Sequence, residues 1–224
     1  MAVRTKVNFY YDILSPYAWF GFEALCRYQN VWQLDLQLKP LNIKRIMSES
    51  GNIPPSTNEY KRDYMISHDV RRISDMMSLP YNPQSYSLSV LQRGSTACMK
   101  TLAACQILFP DHLEELSRQS WLGLYYKNID ITASDNIRMF AEAARVPNVD
   151  ELLLFSQGNE ARSQFITNTQ EALDSKCFGV PWFTVVNPTS GQAEALFGHD
   201  RVEMLGWIIG ADYHGQNPPH SQVN

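Results

Sequence analysis

Residues 6–12, Lys-Val-Asn-Phe-Tyr-Tyr-Asp, constrain this chain more than any other stretch. Nearly every position is apolar or aromatic, the pattern of a central strand covered on both faces. Three residues past Asp12, Ser15-Pro16-Tyr17-Ala18 opens an amphipathic run. In it Trp19, Phe22, Leu25 and Cys26 recur at spacings of three and four, which predicts a helix over residues 16–29. Residues 33–40, Gln-Leu-Asp-Leu-Gln-Leu-Lys-Pro, alternate strictly and meet Pro40, a half-buried strand and its stop. Strand, helix and strand together predict a parallel pair joined by a right-handed crossover.

The character then changes. Residues 48–58 (Ser-Glu-Ser-Gly-Asn-Ile-Pro-Pro-Ser-Thr-Asn) read as a loop. Residues 59–77, 95–109, 111–128, 134–146 and 159–177 carry helical periods, with Pro80, Pro83, Pro110 and Pro147 between them. Strand chemistry returns at 181–186, followed by a turn at 187–192 and a second strand at 193–198. Residues 199–211 close as a helix that Asp200 can cap. The order βαβ, helical block, ββα predicts an α/β protein: a thioredoxin-like fold with a large all-α domain inserted. Residues 1–60 and 174–224 would form the discontinuous thioredoxin-like part and 61–173 the inserted helical domain. No internal repeat or low-complexity tract interrupts this order.

Composition excludes several classes of partner. The 224 residues are 44% hydrophobic and 19% charged, with a formal net charge of −4, so no basic footprint argues for nucleic acid or an anionic membrane surface. No apolar stretch approaches the ~20 residues that cross a bilayer. Cys26, Cys98, Cys105 and Cys177 form no Cys-x-x-Cys pair and no zinc pattern. Cys98 and Cys105 fall seven apart on one helical face, where buried thiols act as small hydrophobes. Unpaired cysteines suit a reducing, intracellular compartment.

Ser15 has two readings. Ser followed by Pro is the preferred N-cap and N1 pair of any helix. Thiol–disulfide enzymes also place their Cys-x-x-Cys at this kind of strand-to-helix junction, and here Ser15 and Ala18 stand at the two thiol positions. Disulfide exchange needs a thiolate on the protein, so this junction cannot perform it. Val180-Pro181, just ahead of the third strand, is placed by the topology opposite Ser15. Thioredoxin-type folds carry a cis proline there, and a trans proline opening a strand is the ordinary alternative. A helix N-terminus, a hydroxyl donor and a strand edge beside a proline can hold the thiol of an extended peptide as its thiolate. The nucleophile then belongs to the ligand.

The segments 9–40 (from Phe-Tyr-Tyr-Asp-Ile-Leu-Ser-Pro-Tyr-Ala), Ser-Glu-Ser-Gly-Asn-Ile-Pro-Pro, Phe-Gly-Val-Pro-Trp-Phe-Thr-Val and Leu-Phe-Gly-His-Asp-Arg-Val-Glu-Met-Leu together resemble the kappa-class glutathione transferases, in the DsbA-like branch of the thioredoxin superfamily. The resemblance spans residues 6–210. It implies glutathione as cosubstrate, no metal, a small hydrophobic electrophile as second substrate, and a homodimer built largely through the helical domain. Ser15 would donate to the glutathione sulfur, with Pro16 and Tyr17 shaping the helix entrance. Val180, before Pro181, would pair its backbone with the cysteinyl portion. Asn52 and Lys61 would reach the glycyl carboxylate; a plain turn residue and a solvated helix charge are the competing readings. His199 and Asp200 would meet the γ-glutamyl end, though the family ordinarily has Ser where His199 stands. Asp69 and Arg201 are candidates for contributions across the dimer interface. Phe20, Trp182 and methionines of the insertion are candidates to line the electrophile pocket.

Activity on activated aromatic halides and peroxidase activity on hydroperoxides both follow from the resemblance. A glutathione-dependent isomerase of the 2-hydroxychromene-2-carboxylate type is the alternative, and a thioredoxin-like binding or chaperone module without catalysis is the second. The start Met1-Ala2-Val3-Arg4-Thr5-Lys6 has neither a secretory h-region nor the length of a transit peptide, and Ser221-Gln222-Val223-Asn224 is not a peroxisomal ending. The resemblance implies mitochondria or peroxisomes, and the missing peroxisomal ending places the expectation on mitochondria, with peroxisome and cytosol as alternatives.

Overall fold

The computed structural model describes residues 4–85 and 93–219. The terminal residues 1–3 and 220–224, read above for targeting signals, lie outside the described residues. Four strands form one sheet: β1 (Thr5–Tyr11), β2 (Leu34–Pro40), β3 (Trp182–Val186) and β4 (Ala193–Phe197), in the order β2-β1-β3-β4. β1 pairs parallel with β2, with Phe9 opposite Leu38, and antiparallel with β3, with Phe9 opposite Phe183. β3 and β4 pair antiparallel, with Trp182 opposite Phe197. The expected mixed four-stranded sheet is present, with β1 inside it.

Both faces of β1 are covered, which is why its sequence barely alternates. Phe9 and Tyr11 project to one side and meet Phe22 of α1 (Pro16–Tyr28), Phe183 of β3 and Trp121 of the helical segment. Their ring centroids lie 4.9–6.4 Å apart, and aromatic pairs at such separations add about 0.5–1.5 kcal/mol each beyond burial. The Tyr11 hydroxyl is not stranded there, being 2.6 Å from Ser117 Oγ. On the other side Asn8 donates to Thr184 at 3.0 Å, and Tyr10 reaches Glu171. Burial and the nearby Glu171 carboxylate push the Tyr10 phenol up to about 12.

Among the described residues, the helices between β2 and β3 are α2 (Ile43–Ser50), α3 (Glu59–Tyr64), α4 (Val70–Met77), α5 (Thr96–Leu108), α6 (Leu113–Tyr125), α7 (Ser134–Ala143), α8 (Val149–Ser156) and α9 (Asn159–Asp174). A single π-helical turn, Met65–Asp69, separates α3 from α4 where one continuous helix was expected. A 3₁₀ turn, His199–Arg201, precedes α10 (Val202–Ile209), so the last helix starts three residues later than its sequence predicts. Asp200 therefore does not cap it: Arg201 holds the N-cap position, and no side chain caps the helix.

Helices α2 and α8 were not anticipated. α2 carries Ile43, Ile46 and Met47 at spacings of three and four, but in eight residues it buries only Ile46 fully. Asn42, whose side chain accepts from the Arg45 N–H, opens it, and Gly51 at φ 72° stops it. α8 is announced by a reciprocal cap, in which Asn148 accepts from the Glu151 N–H and donates to the Glu151 carboxylate.

Candidate active site

Ser15 is the N-cap of α1 and Pro16 its first helical residue. The Ser15 hydroxyl accepts from the Ala18 N–H at 3.1 Å and donates to the Val180 carbonyl at 3.3 Å. Val180-Pro181 is cis, and Gly21 of α1 lies against the proline ring, its Cβ position 3.1 Å from Pro181 Cγ. The expected juxtaposition of Ser15 with the proline peptide is present. Among the described residues nothing accepts from the Val180 N–H, and the Pro181 carbonyl is taken by Gly198 N–H at 3.0 Å.

The loop carrying Ser15 is fastened at every residue, and the sequence reading missed the fasteners. Asp12, 1% exposed, accepts from the Leu14 N–H at 3.0 Å, the Ile43 N–H at 3.1 Å and the Ser95 hydroxyl at 2.6 Å. Burial raises the Asp12 carboxyl, and those three hydrogen bonds pull against it. Ile13 N–H donates to Met99 Sδ at 3.4 Å and Tyr125 donates to the Leu14 carbonyl at 2.6 Å. Asp12 is thus a junction between the β1–α1 loop, the start of α2 and the start of α5. A lone Asp after a strand carries no signal of that role, because its partners lie 31 and 83 positions away.

Tyr17 brings two distant candidates to the same place. Its hydroxyl donates to Asp69 at 2.5 Å, and its ring stacks on His199 with centroids 5.3 Å apart and planes 23° apart. Phe20 meets the His199 ring edge-on at 5.8 Å. Burial holds the His199 imidazole below its ordinary range, against the opposing pull of Asp200 and Asp69. Asp200 is exposed and paired with Arg201 at 2.5 Å, so both of these, like Asp69, have partners within the chain. Gly198, at φ 106°, leads into this turn; a side chain there would strike the Asp200 carboxylate at 2.6 Å.

Asn52 donates to the Phe178 carbonyl at 2.6 Å, tying the loop after α2 to the segment before Pro181. Lys61 is exposed on α3, where its backbone N–H donates to the Asn58 side chain that caps the helix. Phe20 is fully buried and Trp182 is 5% exposed, with its indole N–H donating to Ser175. Both are packed into the core. Half-exposed Phe178 and Phe197, ring centroids 4.6 Å apart, are the aromatic surface beside Asn52 that sequence reading did not single out.

No cysteine serves this site. All four are free, and burial pushes Cys98, Cys105 and Cys177 up to about 12 and raises Cys26 as well. Among the described residues no group of His, Cys, Asp and Glu could hold a metal ion, and no helix is long and apolar enough to cross a membrane.

Comparison with known proteins gives the arrangement its context. The family described as a DSBA-like thioredoxin domain matches residues 6–209. A human protein named glutathione S-transferase kappa 1 is 37% identical over 216 residues, covering 95% of this chain and 94% of its own. A rat protein of the same name is 32% identical over 216 residues, with the same coverage. Among solved structures, a 2-hydroxychromene-2-carboxylate isomerase superposes with a TM-score of 0.73 at 19% identity, covering 92% of this chain and 94% of its own; at that identity the likeness is one of fold. With a Ser-capped helix facing a cis proline and no cysteine at the helix mouth, the chain belongs to the DsbA-like thioredoxin family and, within it, to the kappa class of glutathione transferases.

Proposed function

We propose that this protein is a glutathione transferase that ionises glutathione at the mouth of α1 and directs the thiolate at a small hydrophobic electrophile. The observation that carries the reading is the Ser15 hydroxyl standing between the α1 N-terminus and the Val180 carbonyl. The tripeptide lies extended along Val180, its cysteinyl N–H replacing Ser15 as donor to the Val180 carbonyl. Ser15 is then released to donate to the sulfur. A hydroxyl donor and the positive end of a helix both favour the charged form. Each unit by which the thiol falls below its usual ~8.5 is worth about 1.4 kcal/mol. The proton leaves to solvent, and the thiolate attacks the electrophilic carbon of an aromatic halide with loss of halide, or the peroxide oxygen with cleavage of the O–O bond and release of the alcohol. The peroxide route leaves a sulfenic acid that a second glutathione reduces to the disulfide with loss of water.

The glycyl carboxylate is held near Asn52, and the γ-glutamyl end near His199 and Asp200. Lys61 stands outside this cluster and acts as a long-range cation at most. Homodimerisation and a reducing intracellular compartment, mitochondria first, belong to the same proposal; four unpaired cysteines suit such a compartment. The isomerase alternative needs the same glutathione site plus a place for a substrate carboxylate.

Titration calorimetry with glutathione on the wild type and on Ser15→Ala, with the ultraviolet absorbance of bound thiolate followed against pH, tests the reading. Binding with a lowered thiol pKa that rises in the variant supports it. No binding would return the protein to the non-catalytic alternative. Parallel assays with an activated aromatic halide, a hydroperoxide and 2-hydroxychromene-2-carboxylate separate transferase, peroxidase and isomerase.

A further inference from the structure

One face of the sheet is only half covered. Arg4, Lys6 and Asn8 alternate onto the face away from Phe9 and Tyr11, and the register sets Thr184 and Val186 of β3 and Ala193 of β4 beside them. Towards the mouth of α1 this face is closed by α9 and the residue after it: Glu171 takes Lys39 and Tyr10, and Ser175 accepts from the Trp182 indole. Towards the start of β1 it lies open, with Lys6 and Ala193 exposed and Val186 58% exposed. A cavity of about 390 Å³ sits there, a size that suits a small ligand. Six residues of strand, about 20 Å, separate Lys6 from the loop that carries Ser15.

The lining is divided in its chemistry. Val186, Pro188 and Ala193 make the β3–β4 side apolar, and Arg4 and Lys6 stand on the β1 side. Asn8, donating to Thr184 at 3.0 Å, marks the inner end. Among the described residues neither cationic side chain has a hydrogen bond or an ion pair. The acid opposite Lys6 in the register, Asp35, accepts from Gln37 at 2.6 Å, and Glu194 alternates to the far face. Two like charges so placed repel, and an anion between them relieves the repulsion.

We propose that this cavity is a second ligand site, which takes a small amphipathic carboxylate with its head between Arg4 and Lys6 and its aliphatic body along Val186, Pro188 and Ala193. The planar Arg4 fork matches a carboxylate in two bonds, and Lys6 adds a point charge. Exposed ion pairs hold an anion only weakly, so the head confers orientation and the apolar wall confers most of the affinity. Each methylene removed from water strengthens binding by about threefold. The site stands whether or not glutathione binds at α1.

The test titrates the full chain with butanoate, hexanoate and octanoate at pH 7, read by backbone amide NMR. The expected result is shifts centred on Lys6, Asn8, Val186 and Ala193, with affinity rising about threefold per added methylene. Arg4→Gln combined with Lys6→Gln changes only exposed side chains and should weaken octanoate about tenfold. The uncharged 1-octanol should bind the wild type as weakly as octanoate binds that variant. Shifts confined to the mouth of α1, or no shifts at all, overturn the site. An affinity independent of chain length and equalled by inorganic phosphate reduces it to a bare cationic patch and overturns the amphipathic ligand, as does full octanoate affinity in the double variant.

Discussion

The Ser15 hydroxyl and the Val180 carbonyl oxygen, 165 positions apart in sequence, lie 3.3 Å from each other. The same hydroxyl caps α1 through the Ala18 N–H. One side chain therefore closes a helix and faces the peptide edge on which a thiol ligand would lie, and these two roles can be separated by experiment.

Ser15→Ala should lower stability by about 1 kcal/mol through loss of the cap. It should lower kcat/KM for glutathione conjugation by one to two powers of ten, from loss of a hydrogen bond to an anion worth about 1.5–3 kcal/mol. Denaturant unfolding and steady-state kinetics measure the two. A variant that loses the stability but keeps full activity would make Ser15 a cap alone.

Two glycines should respond oppositely to alanine. At Gly21 a Cβ would press on Pro181 at 3.1–3.3 Å. The gain in helix propensity, about 1 kcal/mol, offsets that strain, so Gly21→Ala should unfold near the wild-type midpoint but bind glutathione several-fold more weakly. At Gly123 a Cβ would overlap the Phe140 ring, whose nearest atoms lie only 2.4 Å away. Gly123→Ala should cost about 1–3 kcal/mol and leave glutathione affinity unchanged, as read by urea titration and calorimetry.

Arg118 joins α6 to α1 by pairing with buried Glu23 at 3.0 Å, and it also holds Glu114 and Glu115 at 2.9 and 2.7 Å. The Trp19 indole supplies a further donor to Glu23. Arg118→Met would leave the Glu23 charge under-compensated and should destabilise the fold by about 3–5 kcal/mol. Adding Glu23→Leu should restore most of that loss. A double mutant no more stable than Arg118→Met would remove the pairing as the cause.

The buried thiols should also resist alkylation. With Cys98, Cys105 and Cys177 raised to about 12, only about one part in ten thousand is thiolate at pH 8. Iodoacetamide should label the native protein slowly and the urea-unfolded protein at the normal rate. Fast native labelling of any of these three would contradict their burial.

His199 also couples folding to pH. Its imidazole is held below the ordinary 6.5 in the folded chain, so near and below that pH the unfolded chain binds the proton first. Stability from this group is therefore full above about 6.5 and is lost as pH falls through the folded value. The difference in unfolding free energy between wild type and His199→Gln should shrink from pH 7.5 to 5, measured by urea denaturation. A difference that stays constant would show no titration of His199.

Much of the fold was legible from the chain. The non-alternating β1, the Ser-Pro start of α1 and the strand–turn–strand near the C-terminus are local patterns, and local patterns survive in one dimension. The Asn148–Glu151 cap of α8 was legible as well, as an Asn followed three residues later by Glu, but attention to apolar period alone passed over it. The late start of α10 was not legible, because the 3₁₀ turn is set by Gly198 pairing with Pro181, a contact between strands.

What the sequence determined by itself is the chemistry on offer: a capped helix with a hydroxyl where a thiol could stand, and cysteines too scattered to replace it. What only the tertiary structure decided is which groups meet. Asp12 locking the loop to α2 and α5, and Tyr17 joining Asp69 to His199, depend on residues 31 to 182 positions from one another. Propensity and periodicity act over a turn or two of chain, whereas a site is assembled by packing, which fixes distances that no local pattern encodes.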